Sequence, residues 1–383
     1  MAGARLLYSR NIVMKRAYYI DRLRVVLTAL VVLHHTAITY GAPGGWYYRE
    51  LPTTLSLTGV LLILFVSINQ AYFMGFFFLI AGYFTPGSYD RKGLGQFLQD
   101  RVIRLGIPLL VFVFVLDPLT NAIVAAWPQA SDFGRQYWTR VRNPGWTPGP
   151  LWFAEALLIF SVGCALWRAV RPSQPRQMDA PMPEWWAWLA SAIGVGIAAL
   201  LLRQWVPVGH NVIGLQLGYF ASYVFLFALG TVAWRNNWFD RLTWRMARPW
   251  MVLSVLMWPV ILISIVIAKT LTGKVPEVNT GFSWPAVVYA LWEPLIAWGM
   301  IAGLLLGFRE WGNRESRVWE FCSARAYAVY IVHAPVLVAV ALALSGWHGP
   351  ALMKVAVTGC LALGLSLGVA SAVMLVPGAR RVL

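Results

Sequence analysis

Runs of about 20 apolar residues recur along the whole chain, and short polar or charged segments separate them. A helix of about 20 residues is long enough to cross the hydrocarbon core of a bilayer. The pattern predicts an all-α integral membrane protein in which residues 1–383 form one polytopic domain and the functional site is buried between the helices. Ten spans are predicted, at 23–41, 66–85, 105–126, 150–168, 186–205, 213–234, 250–268, 284–307, 326–345 and 355–376.

The composition agrees with this class of protein. Hydrophobic residues make up 59% of the chain and charged residues 12%, whereas about a quarter of a soluble domain is charged. The three cysteines show neither a disulfide framework nor the spacing of metal ligands. We therefore expect no metal site and no permanently bound cofactor.

The net charge of +16 is unevenly distributed, and the distribution bears on orientation. If residues 1–22 form a cytoplasmic N-terminal arm, 23 of the 31 Lys and Arg residues fall on the inner side of the membrane. This bias agrees with the positive-inside rule, so both termini are expected in the cytoplasm. No basic run is long enough, or far enough from the predicted spans, to indicate nucleic-acid binding. We expect the lipid bilayer to explain most of the excess charge.

Arg24 and His35 fall in the first apolar run, eleven residues apart. Eleven residues of helix return to nearly the same face, about 16 Å along the axis, so both side chains are expected to face one interior. Ionisable residues inside a span usually mark a functional site. An arginine that only anchors the helix and a histidine that only bonds a neighbouring helix are the alternatives. Asp21 could orient Arg24, and His34, about 100° away from His35, is assigned a supporting role.

Arg101 and Arg104 form a second candidate site, between the second and third predicted spans. Residues three apart share one helix face, and guanidinium groups at this spacing suit phosphate oxygens. Contact with lipid phosphates is the alternative explanation.

Three acidic residues lie within predicted spans: Asp117, Glu155 and Glu293. Such residues would suit a proton-coupled transporter of a small solute, which is the main competing class. The alternative is that each carboxylate pairs with an interior arginine or a helix end. Glu155 also lies one turn after Trp152, where it could touch an acceptor. The aromatic residues of segment 127–150 fit a sugar site or an interfacial aromatic belt equally well.

Several segments resemble signatures of the acyltransferase-3 family of membrane acyltransferases. They are 18–24 (YYIDRLR) followed by His35, 76–84 (FFFLIAGYF), Arg101 and Arg104 with Pro108, 151–153 (LWF) and 330–333 (YIVH). The likeness extends from about residue 18 to 335, and the branch that modifies periplasmic glucans looks most similar. Ala81 and Pro150 depart from the family pattern, which usually has a small polar residue and a histidine there.

The resemblance implies a function. Members of the family take an acyl group, often acetyl, from cytoplasmic acyl-CoA and pass it to a hydroxyl group. The implied acceptor is an extracytoplasmic glycan or a lipid-linked saccharide, the implied location is the bacterial cytoplasmic (inner) membrane, and succinyl is a second candidate acyl group. Arg24 and His35 match the family's essential pair. Tyr330 and His333 are assigned to the pocket, and plain helix packing is the alternative for His333.

The chemistry of these side chains fits that role. A neutral imidazole at His35 can take a proton from an acceptor hydroxyl, which is worth roughly 100- to 10,000-fold in rate. Arg24 could stabilise a developing oxyanion or hold the acyl-CoA. Direct transfer and a covalent acyl-histidine both remain open at this point.

Overall fold

The computed structural model describes residues 17–129, 132–171 and 180–383. Most of the predicted N-terminal arm, residues 1–16, lies outside the described residues. Within the described ranges the chain is helical and has no strand, with one isolated bridge between Val212 and Leu215. The predicted fold class is confirmed.

Nine helices in the described part of the chain are long and apolar enough to cross a membrane. They are α1 (Tyr18–Thr39), α2 (Leu57–Ala126), α3 (Gly149–Val170), α4 (Trp185–Trp205), α5 (Leu217–Arg235), α6 (Trp244–Thr272), α7 (Trp284–Trp311), α8 (Ala326–Ala343) and α9 (Ala351–Val373). Four short helices are Phe133–Arg142, Trp238–Arg241, Arg317–Ser323 and Ala379–Val382. We call the face where α1 begins the proximal face and the face where α1 ends the distal face.

Helix α2 contains two of the ten predicted spans, because the chain reverses near its middle. Gly93 has φ 71° and ψ 172°, outside the helical region and favourable only for glycine. Leu62 packs with Ala42 in one cluster, and Asp117 bonds to Tyr47. Both ends of α2 thus lie beside the loop 40–56 at the distal face. The ten predicted spans therefore all correspond to segments of the nine helices.

Two π-helical segments widen the second half of α2, at Val102–Gly106 and Phe112–Leu116. Segments of this kind often occur at functional sites, since the extra residue per turn changes the direction of the side chains. Arg104 lies within the first segment, and Asp117 directly follows the second.

Helices α2 and α5 pack with their backbones in close contact. A Cβ atom on Gly82 would lie 2.1 Å from the carbonyl oxygen of Phe227, and one on Gly230 would lie 2.2 Å from that of Leu79. Small residues allow such close approach in membrane proteins, where dispersion contacts rather than a hydrophobic driving force hold helices together.

Buried ion pairs account for some of the charges within the spans. Glu293 of α7 pairs with Arg203 of α4, and Lys354 of α9 pairs with Glu50. Arg203 also donates to the carbonyl oxygen of Gly218 at 3.1 Å. Pairing with an interior arginine, the alternative to a transport role, is therefore confirmed for Glu293.

Candidate active site

His35 lies near the distal end of α1 and pairs with His333 of α8. The Nδ1 atom of His35 is 3.2 Å from the Nε2 atom of His333, although 298 residues separate the two in the chain. The Nδ1 atom of His333 is 2.6 Å from the carbonyl oxygen of Tyr330. Since a carbonyl oxygen only accepts, His333 Nδ1 carries a proton and His333 Nε2 accepts from His35 Nδ1. With both rings neutral, this order leaves the lone pair of His35 on its Nε2 atom.

His34 points elsewhere, as its position on the helix predicted. Its ring stacks on Phe73 of α2 with 5.1 Å between centroids, and its Nδ1 atom is 3.4 Å from the amide nitrogen of Asn69. His34 therefore faces α2, whereas His35 faces α8.

Tyr330 and Trp152 join α8 and α3 to the same region. The Tyr330 hydroxyl donates to the carbonyl oxygen of Pro150, the residue that immediately precedes the LWF signature. The ring of Trp152 stacks on Tyr223 of α5 with 5.5 Å between centroids. The two signatures, at 151–153 and 330–333, thus meet in space beside the histidine pair.

Trp46 was not singled out by the sequence, yet it has the closest ring contact with His35. The two ring centroids are 4.0 Å apart and the ring planes are 13° from parallel. Its Nε1 atom is buried and has no hydrogen-bond partner. Trp46 is one of 21 tryptophans in a chain rich in aromatic residues, so no sequence signal marked it.

A cavity of about 880 Å³ opens at the distal face, and His35 lies on its wall. Aromatic rings and amide side chains make up much of the lining, with Asp117 and Arg140 as the charged groups. The aromatic and amide side chains are Trp46, Tyr47, Trp146, Trp152, Asn121, Asn143, Asn211 and Gln216. We call this space the distal cavity.

Asp117 is the centre of a hydrogen-bond network in the wall of the distal cavity. Its carboxylate accepts from the hydroxyl of Tyr47 at 2.7 Å, from Thr147 at 2.9 Å and from the amide of Asn121 at 3.2 Å. Burial raises the pKa of Tyr47, and the adjacent Asp117 raises it further, so Tyr47 stays protonated and acts as the donor. Asp117 thus joins the loops at 40–56 and 127–148 to α2.

Glu155 lies behind this wall rather than in it. One carboxylate oxygen accepts from the indole nitrogen of Trp146 at 3.0 Å, and the other is buried without a partner. Because Trp146 lines the distal cavity and Glu155 is buried, Glu155 reaches the cavity only through the indole. The sequence suggested that Glu155 could touch the acceptor directly, but Glu155 is not among the residues that line the distal cavity.

A second cavity, of about 590 Å³, opens at the proximal face and carries most of the site's positive charge. Five cationic side chains line it, against the two carboxylates of Asp21 and Asp100. The cationic residues are Arg24, Arg91, Lys92, Arg101 and Arg104. We call this space the proximal cavity.

Side-chain contacts position Arg24 and Arg101 in the proximal cavity. An Nη atom of Arg24 is 3.9 Å from the carboxylate of Asp21, and its guanidinium lies over the ring of Phe84 at 5.2 Å. The guanidinium of Arg101 lies over Phe97 at 4.9 Å. Asp21 and Arg24 are therefore in the relation that their spacing predicted, and both share a cavity with the predicted phosphate-binding arginines.

The expectation that Arg24 and His35 face one shared interior was wrong. Arg24 lines the proximal cavity and His35 the distal cavity, because about 16 Å of helix separates them along the axis. The shared helix face predicted the direction in which the two side chains point, but it did not predict which cavity each side chain lines. The guanidinium group of Arg24 is consequently too far from His35 to stabilise an oxyanion that forms there.

Comparison with known proteins identifies the family. A family profile described as "Acyltransferase domain" matches residues 17–374, nearly the whole chain. The protein belongs to this acyltransferase family. The family predicted from the sequence signatures is thereby confirmed, and the nine long apolar helices agree with a multi-pass membrane protein.

Curated relatives share a shorter region. The chain is 25% identical over 160 residues to "Glucans biosynthesis protein C" of Escherichia coli O6:K15:H31 (strain 536), a match that covers 39% of this chain and 38% of that protein. The protein of the same name from Escherichia coli K12 gives the same identity and coverage. The match thus spans well under half the length of these relatives. No solved structure matches the chain.

Proposed function

We propose that the protein transfers an acyl group from cytoplasmic acyl-CoA, bound in the proximal cavity, to a saccharide hydroxyl bound in the distal cavity. The observation that carries this proposal is that one helix, α1, places Arg24 and His35 in two cavities that open at opposite faces. In this proposal the proximal face is cytoplasmic and the distal face is extracytoplasmic, in the inner membrane of a bacterium.

The charge of the proximal cavity supports acyl-CoA as the donor. CoA carries a pyrophosphate and a 3′-phosphate, and five cationic side chains against two carboxylates give the cavity a net positive charge. Guanidinium groups bind phosphate oxygens through paired, charge-assisted hydrogen bonds. Arg24 then acts on the CoA moiety, and the slender pantetheine arm carries the thioester along α1 towards His35.

The lining of the distal cavity supports a saccharide as the acceptor. Indole and phenol rings offer flat apolar faces to sugar rings, and the amides of Asn121, Asn143, Asn211 and Gln216 offer donors and acceptors to hydroxyl groups. The similarity to proteins named for glucan biosynthesis favours a glucan over other glycans and lipid-linked saccharides. Acetyl is the proposed acyl group, and succinyl is the second candidate.

The reaction follows from the order of hydrogen bonds at the histidine pair. The Nε2 atom of His35 takes the proton of the acceptor hydroxyl as the oxygen attacks the thioester carbonyl carbon. The new C–O bond forms and the C–S bond breaks, and the leaving CoA thiolate receives the proton from His35. His333 holds His35 in the reactive tautomer because its own Nδ1–H is committed to the carbonyl oxygen of Tyr330.

The transporter alternative has less support. Glu293 is paired with Arg203, and Asp117 accepts hydrogen bonds from three neighbouring side chains. Of the three acids proposed as proton carriers, only Glu155 keeps a carboxylate oxygen without a partner. Membership of an acyltransferase family favours transfer chemistry instead.

The first test measures CoA release and product mass with purified protein. Acetyl-CoA or succinyl-CoA is supplied with glucan oligosaccharides, free thiol is followed with time, and the saccharide is examined for the mass of one added acyl group. Wild-type protein should give both signals, and His35→Ala and Arg24→Ala should abolish them while the protein still folds. His34→Ala should have a milder effect, and His348→Ala, on an exposed loop, should be neutral. Near-wild-type turnover by His35→Ala would refute the proposed role of His35.

A further inference from the structure

Trp46 covers one face of the His35 ring in a geometry that suits a cation–π interaction. The centroids are 4.0 Å apart with the planes 13° from parallel, so the indole lies flat over the imidazole. The same indole is 14° from parallel with His333, at 6.0 Å between centroids. Both histidines of the hydrogen-bonded pair thus lie alongside one aromatic ring.

The loop that carries Trp46 is fixed at several points. The backbone N–H groups of Glu50 and Leu51 donate to the carbonyl oxygen of Thr39, at 2.8 Å and 3.3 Å. The Glu50 side chain pairs with Lys354 of α9. Tyr47, the residue after Trp46, donates to Asp117 at 2.7 Å. These bonds hold the indole against His35 with little freedom to move, which makes the stacking a built feature of the fold.

The proposed reaction creates a positive charge at this place. When His35 takes the proton of the acceptor hydroxyl it becomes an imidazolium, and the charge disappears when the proton passes to the thiolate. A cation over the face of an indole is attracted by the ring's electron density, most strongly where water is excluded. An interaction that strengthens only when charge develops lowers the barrier without strengthening ground-state binding.

We propose that Trp46 is a positioning residue that holds the His35 ring and stabilises its imidazolium form during acyl transfer. The inference rests on the proposed function, since it requires His35 to be protonated in the reaction. If the indole only closed the wall of the distal cavity, the fold would be the same, but the rate of acyl transfer would not depend on the attraction between the indole and the imidazolium charge.

Fluorinated tryptophans separate the two roles. Each fluorine withdraws electron density from the ring face and hardly changes its size, so a series from zero to four fluorines weakens a cation–π interaction stepwise. The series is introduced at position 46 alone by nonsense suppression, and kcat is measured at saturating acyl-CoA and saccharide. We expect log kcat to fall steadily with each fluorine, by about tenfold over the whole series.

Trp298 provides the matched control. Its indole is buried, whereas that of Trp46 is half-buried, and it too stacks on an aromatic ring, Phe225, with 5.4 Å between centroids. Trp298 lines neither the distal nor the proximal cavity. The same fluorinated residues at position 298 should leave kcat unchanged. A similar decline at both positions would show a general effect on the fold and overturn the inference.

Ordinary substitutions give a second readout. Trp46→Leu removes the aromatic face and should lower kcat by about 2- to 30-fold. The kcat of Trp46→Phe should lie between that of Trp46→Leu and that of wild type. The KM for acyl-CoA should stay the same, because the donor binds in the proximal cavity. A raised KM for the saccharide without a change in kcat would mean that Trp46 is only part of the cavity wall.

The outcomes also distinguish this inference from the proposed function. If wild type transfers acyl groups, His35→Ala is inactive and the fluorinated series is flat, the inference fails and the function stands. If wild-type protein transfers no acyl group from acyl-CoA, both fail. A steady decline at position 46 against a flat control at position 298 supports the inference.

Discussion

Arg101 and Arg104 reach the proximal cavity from one turn of α2, where the π-helical segment Val102–Gly106 begins. Their surroundings differ: Arg101 is half-buried and lies over the ring of Phe97, whereas Arg104 is exposed. A charge-assisted hydrogen bond to phosphate is stronger where solvent competes less. The two arginines are therefore expected to contribute unequally to the binding of a nucleotide.

Arg101→Ala and Arg104→Ala should raise the KM for acyl-CoA and change kcat at saturation much less. Loss of a hydrogen bond to a charged group costs about 1.5–3 kcal/mol, and we expect the upper part of this range for Arg101 and the lower for Arg104. Arg101→Lys should restore only part of the affinity, since lysine lacks the guanidinium fork. Titration of acyl-CoA against each variant provides the measurement.

Arg248→Ala is the control for this prediction, because Arg248 is exposed on α6 and does not line the proximal cavity. The KM of the Arg248→Ala variant for acyl-CoA should equal that of wild type. If Arg101→Ala and Arg104→Ala also keep the wild-type KM, the two arginines do not bind the donor, and contact with lipid phosphates becomes their better explanation.

At the scale of elements, the contact between α2 and α5 fixes how the second signature, 76–84, is presented to the rest of the bundle. Gly82 and Gly230 bring backbone directly against backbone, so no side chain in the contact can move to make room. Tyr83, next to Gly82, stacks on Phe239 with 4.1 Å between centroids, and Phe84 contacts Arg24. A shift of α2 would thus be transmitted to the proximal cavity.

Gly82→Ala should destabilise the protein by about 1–3 kcal/mol, the usual cost of overpacking a close contact. The added methyl group would lie 2.1 Å from the Phe227 carbonyl oxygen, so the helices must separate. Thermal unfolding in detergent would detect the loss. Gly163→Ala is the matched control: Gly163 is also helical, and a Cβ atom there meets nothing within 4 Å. Equal stability of the two variants would contradict the packing argument.

At the scale of the whole molecule, the two cavities open at opposite faces of the bundle, and the orientation of the chain decides which one meets the cytoplasm. The C-terminal helix Ala379–Val382 contacts the segment Val102–Gly106, so the C-terminus lies at the proximal face with the start of α1. From the distribution of Lys and Arg, we expect that face to meet the cytoplasm.

Reporter fusions can test this orientation. A reporter that is active only in the cytoplasm should be active after Leu383 and inactive when it is inserted after Gly134, in the distal segment 127–148. An insertion at Gly93, where α2 reverses, should give the same signal as the C-terminal fusion. Identical signals at Leu383 and Gly134 would mean an even number of membrane crossings between them, whereas the structure has an odd number. If the Leu383 fusion reported the extracytoplasmic side and the Gly134 fusion the cytoplasm, the proposed direction of acyl transfer would be reversed.

The sequence by itself determined the class of fold and the kinds of side chain at the site. A span is recognised from the length of an apolar run, which is a local property, and all ten predicted spans match helical segments. Asp21 and Arg24 lie as their spacing predicted, because residues three apart on a helix must be neighbours. The signatures identified the acyltransferase family for the same reason: they are read directly from consecutive residues.

Only the tertiary structure decided which side chains meet and which space each one faces. His35 and His333 are 298 residues apart, and their hydrogen bond depends on how α1 packs against α8. Trp46 contacts His35 because a loop folds back over the end of α1, which no periodicity in the sequence encodes. The separation of Arg24 and His35 into two cavities depends on α2, which reverses at Gly93. The reversal brings Arg101 and Arg104 beside Arg24 in the proximal cavity. It leaves Asp117 at the distal face. Helical periodicity fixes the direction of a side chain relative to its own axis, whereas the packing of other helices around that axis fixes what the side chain touches.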